Sequence, residues 1–69
     1  MKRKNNWIKR VTKERDKLNK KLYNLTEFME TGEYEFLEPK MRQLLTVQAT
    51  IMASYVNVLN ARLALVEGE

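Results

Sequence analysis

Cysteine and histidine are both absent from this chain of 69 residues, which removes disulfides and the usual zinc ligands together. Glycine occurs twice and proline once, too little punctuation for a sheet of short strands. Charge is missing from Gln43 to Ala61, nineteen consecutive residues. A chain of this size buries only about 60% of its unfolded surface, so its own core is marginal. Below roughly 70–80 residues, stability needs a disulfide, a metal, very regular helix packing or oligomerisation. With the first two removed, regular helices and self-association remain, and a single all-α domain over residues 1-69 is expected.

The uncharged stretch is nearly long enough to span a membrane. It contains Gln43, Thr46, Gln48, Thr50, Ser54, Asn57 and Asn60, too many polar groups for a run of about 20 predominantly apolar residues. The basic start, Met1–Lys4, leads into Asn5, Asn6 and a charged segment rather than an apolar run with a cleavage site. No membrane partner is expected, and a cytoplasmic location is.

What the chain has is segregated charge. Ten of its thirteen Lys and Arg residues fall between Lys2 and Lys21, against Glu14 and Asp16, a formal +8. The remaining residues carry Lys40, Arg42 and Arg62 against seven Glu, a formal −4. A concentrated positive field attracts anions in a way that an evenly spread one does not.

Apolar spacing predicts two helices. In the first, about 6-31, Ile8, Val11, Leu18, Leu22, Leu25 and Met29 alternate at three and four residues, with Arg15 at the one skipped position. Lys9, Lys13, Lys17 and Lys20 lie off that seam, with Glu14–Lys17 and Asp16–Lys20 at neighbouring positions. Thr31-Gly32 predicts a stop, because glycine adopts the left-handed conformation at a helix C-terminus. In the acidic elbow, 32-38, Tyr34, Phe36 and Leu37 are expected to plug the open end of the helix pair. Pro39 suits the first turn of the second helix, about 39-66, where its missing N–H costs nothing.

That second helix carries several apolar columns at spacing seven, including Leu44/Ile51/Val58/Leu65, Leu45/Met52/Leu59/Val66 and Val47/Ser54/Ala61. One partner needs an apolar stripe of about 100° or a little more. A wider one requires a second buried face, so the expected fold is an antiparallel two-helix hairpin that oligomerises through the second helix. Antiparallel partners have numbers summing to about 70, which sets Trp7 near Leu63, Val11 near Leu59 and Leu25 near Leu45. Arg62 then returns to the end carrying Lys2–Arg10.

No catalytic constellation is visible: there is no P-loop, no GxGxxG and no serine in a nucleophile motif. The glutamates at 27, 30, 33, 35 and 38 read as solvated acids. The expectation is a non-enzyme without metal or cofactor. The basic segment is the main functional signal, since Lys and Arg neutralise phosphates and an aromatic face stacks on a base. The candidate ligand-binding residues are Arg3, Lys4, Trp7, Arg10 and Arg62, with Tyr55 as a further candidate. Trp7 also reads as the closure of the hydrophobic seam. Gln48 and Tyr55 read either as a pocket lining between protomers or as a polar layer that sets register.

Glu14-Arg-Asp-Lys-Leu18, Lys21-Leu22, Leu25 and Phe28, then Leu44-Leu45, Gln48, Met52, Tyr55, Leu59 and Arg62, form one pattern over about residues 14-63. It resembles the short helical-hairpin proteins of crAss-related bacteriophages, whose second helix reads LL-x-x-Q-x-x-x-M-x-x-Y-x-x-x-L-x-x-R. By analogy, small oligomeric phage hairpins act as sponges for the nucleotide second messengers of bacterial immunity, cyclic oligonucleotides in CBASS or cyclic ADP-ribose species in Thoeris. The resemblance implies a protein of the bacterial host cytoplasm that sequesters such a small nucleotide signal without cleaving it. Two other readings remain open: non-specific nucleic-acid binding, and a protein–protein module that inhibits a host enzyme.

Overall fold

The computed structural model describes the backbone from residue 2 to 67 and side chains from 7 to 65. Three helices follow one another: α1 (Lys2–Met29), α2 (Gly32–Glu35) and α3 (Pro39–Glu67). At 1.5 Å per residue the two long helices are each about 43 Å. The molecule measures 51 × 14 × 14 Å, so α1 and α3 lie side by side rather than end to end. Among the described residues the fold is entirely helical, with no strand.

Buried residues concentrate away from the elbow. Val11, Leu59 and Leu63 form one cluster, and Trp7, Ile8 and Leu18 pack on it. Val56 is buried too, and Leu59 has no exposed surface at all. Towards the elbow, Leu22, Leu25, Phe28, Leu45 and Met52 are only half-buried. Polar contacts join the same two helices. Arg15, the residue at the skipped seam position, donates from Nη1 to Asn60 Oδ1 at 3.2 Å and pairs with Asp16 at 3.1 Å. Tyr55 donates its hydroxyl to Glu14.

Two details of the elbow differ from the sequence reading. α1 ends at Met29, and Gly32 does not adopt positive φ. The helix instead tightens into i→i−3 bonds, Glu30 N to Glu27 O (3.1 Å) and Thr31 N to Phe28 O (3.0 Å), while Thr31 Oγ1 donates to Phe28 O at 2.7 Å. These bonds satisfy terminal carbonyls, so no left-handed glycine is needed. Thr31 is extended (φ −90°, ψ 162°) and leads straight into α2.

The second difference is Phe36, which is 92% exposed and plugs nothing. Tyr34 does that work. Its ring meets Phe28 edge to face at 6.2 Å, and its hydroxyl donates to the Arg42 carbonyl at 3.1 Å and lies 3.2 Å from Thr46 Oγ1. Replacing Tyr34 by phenylalanine keeps the ring and loses the bridge to α3. A loss of about 0.5–1.5 kcal/mol is expected in a urea titration, whereas Phe36→Ser should leave the midpoint unchanged.

α3 keeps a long apolar face uncovered. Leu44, Val47, Ile51, Val58 and Leu65 are exposed, as are Met41 and Tyr55 beside them. By length and composition, Pro39–Leu65 also meets the requirement for a bilayer-spanning helix, with 11% of its most apolar window buried. Its outward polar residues, Gln43, Thr50 and Asn57 among them, would face hydrocarbon in that setting, at a cost water does not impose.

Candidate anion-binding groove

The charges of α1 oppose its own dipole. A helix favours acids in its first turn and bases in its last, yet α1 has no acid in the former and no base in the latter. Lys2, Arg3 and Lys4 open it, and Glu27 and Glu30 stand at its close. Each misplaced charge costs about 0.3–1 kcal/mol near an exposed terminus. This arrangement does not stabilise the isolated helix, and it concentrates positive charge at one end of it.

Arg10, Lys13, Lys17 and Lys21 recur at three and four residues, so they share one face of α1. They line an open groove of about 440 Å³ together with Glu14, Leu18 and, from α3, Tyr55. From Arg10 to Lys21 the cations extend over about 16 Å. Glu14 is the only acid lining the groove, and Tyr55 holds it from the facing wall. This hydrogen bond raises the Tyr55 pKa above its ordinary value, with desolvation and the Glu14 charge adding to the effect and Arg62 opposing it. The neutral phenol is therefore the form the fold favours. The stabilisation it gives is full below the ordinary tyrosine pKa near 10 and is lost as pH rises through the raised value. An ultraviolet titration should show one of the three tyrosines ionising late, and Glu14→Gln should bring it back towards the ordinary value.

The residues named from sequence divide into groups. Arg10 and Tyr55 line the same groove. Trp7 and Arg62 meet at the same end of the helix pair, the guanidinium carbon 5.6 Å from the ring centroid. Trp7 also packs on the Val11–Leu59–Leu63 cluster, so one ring closes the seam and holds Arg62, and a base stacking on the Arg62 side would have to displace that guanidinium. Arg3 and Lys4 lie on α1, with side chains outside the described residues. Gln48 is exposed and reaches only the Met52 sulfur at 3.9 Å, so within one copy it forms no buried layer.

Lys13, Lys17 and Lys21 belong to the basic segment that the sequence marks as its main functional signal, but they were not among the individual residues named from it. Their 10-13-17-21 spacing was the available signal. What it lacked was a wall, because only packing brings Tyr55 opposite them. A second depression of about 660 Å³ is lined by Ile8, Lys9, Arg10, Thr12 and Lys13. Those residues all belong to α1, so it is a surface of one helix rather than a cleft between two.

Fold and groove define a class: a small all-helical protein with a row of cations beside an aromatic hydroxyl. Residues 5–65 match the Sequestin family, and the chain belongs to that family. No curated protein and no solved structure matches it.

Proposed function

We propose that this protein is a phage anti-defence protein that sequesters a small nucleotide immune messenger, of the cyclic oligonucleotide or cyclic ADP-ribose type, without cleaving it. The carrying observation is the groove, where Arg10, Lys13, Lys17 and Lys21 converge with Tyr55. Four cations within about 16 Å suit a compact ligand with more than one phosphate. The Sequestin name supports retention of a bound molecule, and the resemblance to phage hairpins supports the immune setting in the host cytoplasm. The protomer in this reading is an antiparallel helical hairpin, and copies associate through α3. Arg62, which lies over the Trp7 ring, and Arg3 and Lys4, which belong to the same basic segment of the sequence, are included in the proposed anion-binding set.

Calorimetric titration at low salt with cyclic di- and trinucleotides and ADP-ribose derivatives tests this. The expected result is saturable binding of one ligand class, with the ligand recovered intact after denaturation. Recovery of a cleaved ligand would make the protein an enzyme. Affinity that climbs with every nucleotide added to an oligonucleotide would instead identify a nucleic-acid binder. No binding to any of these would remove the proposal.

A further inference from the structure

The uncovered face of α3 has a regular seam. Leu44, Val47, Ile51, Ser54, Val58, Ala61 and Leu65 alternate at three and four residues, the spacing by which one helix packs along another. All seven are exposed, so this seam is distinct from the one α1 covers. Its large residues, Leu44, Ile51, Val58 and Leu65, occupy one set of positions, and Val47, Ser54 and Ala61 occupy the other. Running two such seams parallel would stack Leu44 on Leu44 and Ile51 on Ile51, with Ser54 on Ser54 between them. Wide and narrow layers would then alternate, leaving gaps at the narrow ones that close packing disfavours. Running them antiparallel sets Leu44 opposite Ala61, Val47 opposite Val58 and Ile51 opposite Ser54, mixing large with small in two of the three layers.

Charge favours the same direction. Glu27, Glu30, Glu33, Glu35 and Glu38 lie at the elbow end, with Lys40 and Arg42 offsetting two of the five, whereas the other end carries the seven cations Lys2, Arg3, Lys4, Lys9, Arg10, Lys13 and Arg62, with Glu67 and Glu69 offsetting two of them. Each copy is thus a long dipole. Antiparallel copies place acidic elbow beside basic end, and parallel copies place like beside like.

We infer that the occupant of this face is a second copy of the chain, packed antiparallel about a two-fold axis near Ile51–Ser54, and that the pairing brings both cationic grooves to one face of the dimer. The second half follows from symmetry. Tyr55 stands next to Ser54 in the seam and bonds Glu14 on α1, so the groove lies to the Tyr55 side of the seam. A two-fold axis perpendicular to antiparallel helices carries that side of one copy to the same side of the other. Two rows of Arg10, Lys13, Lys17 and Lys21 then flank a common trough, with both Tyr55 residues near its centre. A parallel pair, whose axis runs along the helices, would put the grooves on opposite faces. This inference gives direction and seam to the self-association proposed above, and its test needs no ligand.

The absence of cysteine makes single-cysteine cross-linking clean. Leu44→Cys protein mixed with Ala61→Cys protein should form a disulfide-linked heterodimer, while Leu44→Cys alone should form none, its two copies lying about 25 Å apart along the axis. Light scattering should give twice the chain mass of 8.2 kDa, and Ile51→Glu should return it to one chain mass. A disulfide between two copies of the Leu44→Cys protein would overturn the orientation. A monomer of the unmodified protein in dilute buffer would overturn the pairing. So would partition into phosphatidylcholine vesicles in place of self-association, which would make lipid the occupant. Failure of ligand binding with the Leu44–Ala61 cross-link intact would count against the proposed function and leave the dimer standing.

Discussion

Leu59→Ala is expected to destabilise the protein by about 2–5 kcal/mol, the range for truncating a large aliphatic side chain in a core. Leu59 is the side chain with no exposed surface, at the centre of the cluster with Val11 and Leu63. A stability of roughly 0.05–0.15 kcal/mol per residue would give a chain of 69 residues about 3–10 kcal/mol in total. The substitution therefore removes a large share of it, and the thermal melt followed by circular dichroism should move down by well over ten degrees or vanish. Trp7 packs on the same cluster, so its fluorescence should report the loss. Leu44→Ala is the control: Leu44 is 64% exposed, so truncation should leave the melt of a diluted sample nearly unchanged and weaken association instead. If Leu44→Ala proved as damaging as Leu59→Ala at every concentration, the division of α3 into two faces would be wrong.

The second large effect concerns the groove. Lys13→Glu combined with Lys17→Glu should lower affinity for a nucleotide anion by at least about a hundredfold. Charge-assisted hydrogen bonds contribute roughly 1.5–3 kcal/mol each. Losing two corresponds to about 10²–10⁴ in affinity before the new repulsion is counted. Both residues line the groove and both are exposed, so the helical signal should persist. Lys20→Glu makes the same change of sign off the groove, and its effect should be smaller and disappear with added salt. Glu14→Gln should act the opposite way and tighten binding, because it removes the one acid from the groove wall. Equal losses for Lys17→Glu and Lys20→Glu would mean that a diffuse field, rather than this groove, attracts the ligand.

Much of this could be seen in the residues. Alternating apolar spacing on α1 and repeated columns on α3 placed both long helices, because helical periodicity is local and recurs every three or four residues. The start of α1 at Lys2 and its end at Met29 were less legible. Helix ends are decided by which groups satisfy the last carbonyls, and the Thr31 hydroxyl did so where a left-handed Gly32 was expected. Phe36 and Tyr34 show the same limit. Both are aromatic residues of one short elbow, yet one is 92% exposed and the other bonds the Arg42 carbonyl. Their chemistry does not separate them; the direction in which α2 turns each side chain does.

By itself the sequence determined that the protein is helical, that its charge is divided between two ends, and that α3 has more apolar surface than one partner covers. These follow from composition and period, which depend on neighbours along the chain. Tertiary structure alone decided that Arg10, Lys13, Lys17 and Lys21 form one wall of a groove and that Tyr55 faces them while holding Glu14. It also decided that Trp7 is occupied from one side by the core and engaged by Arg62. Those pairings join residues from 34 to 56 positions apart, and they depend on the rotation of each helix about its own axis. Packing sets that angle, because it is the rotation that buries Leu59 completely.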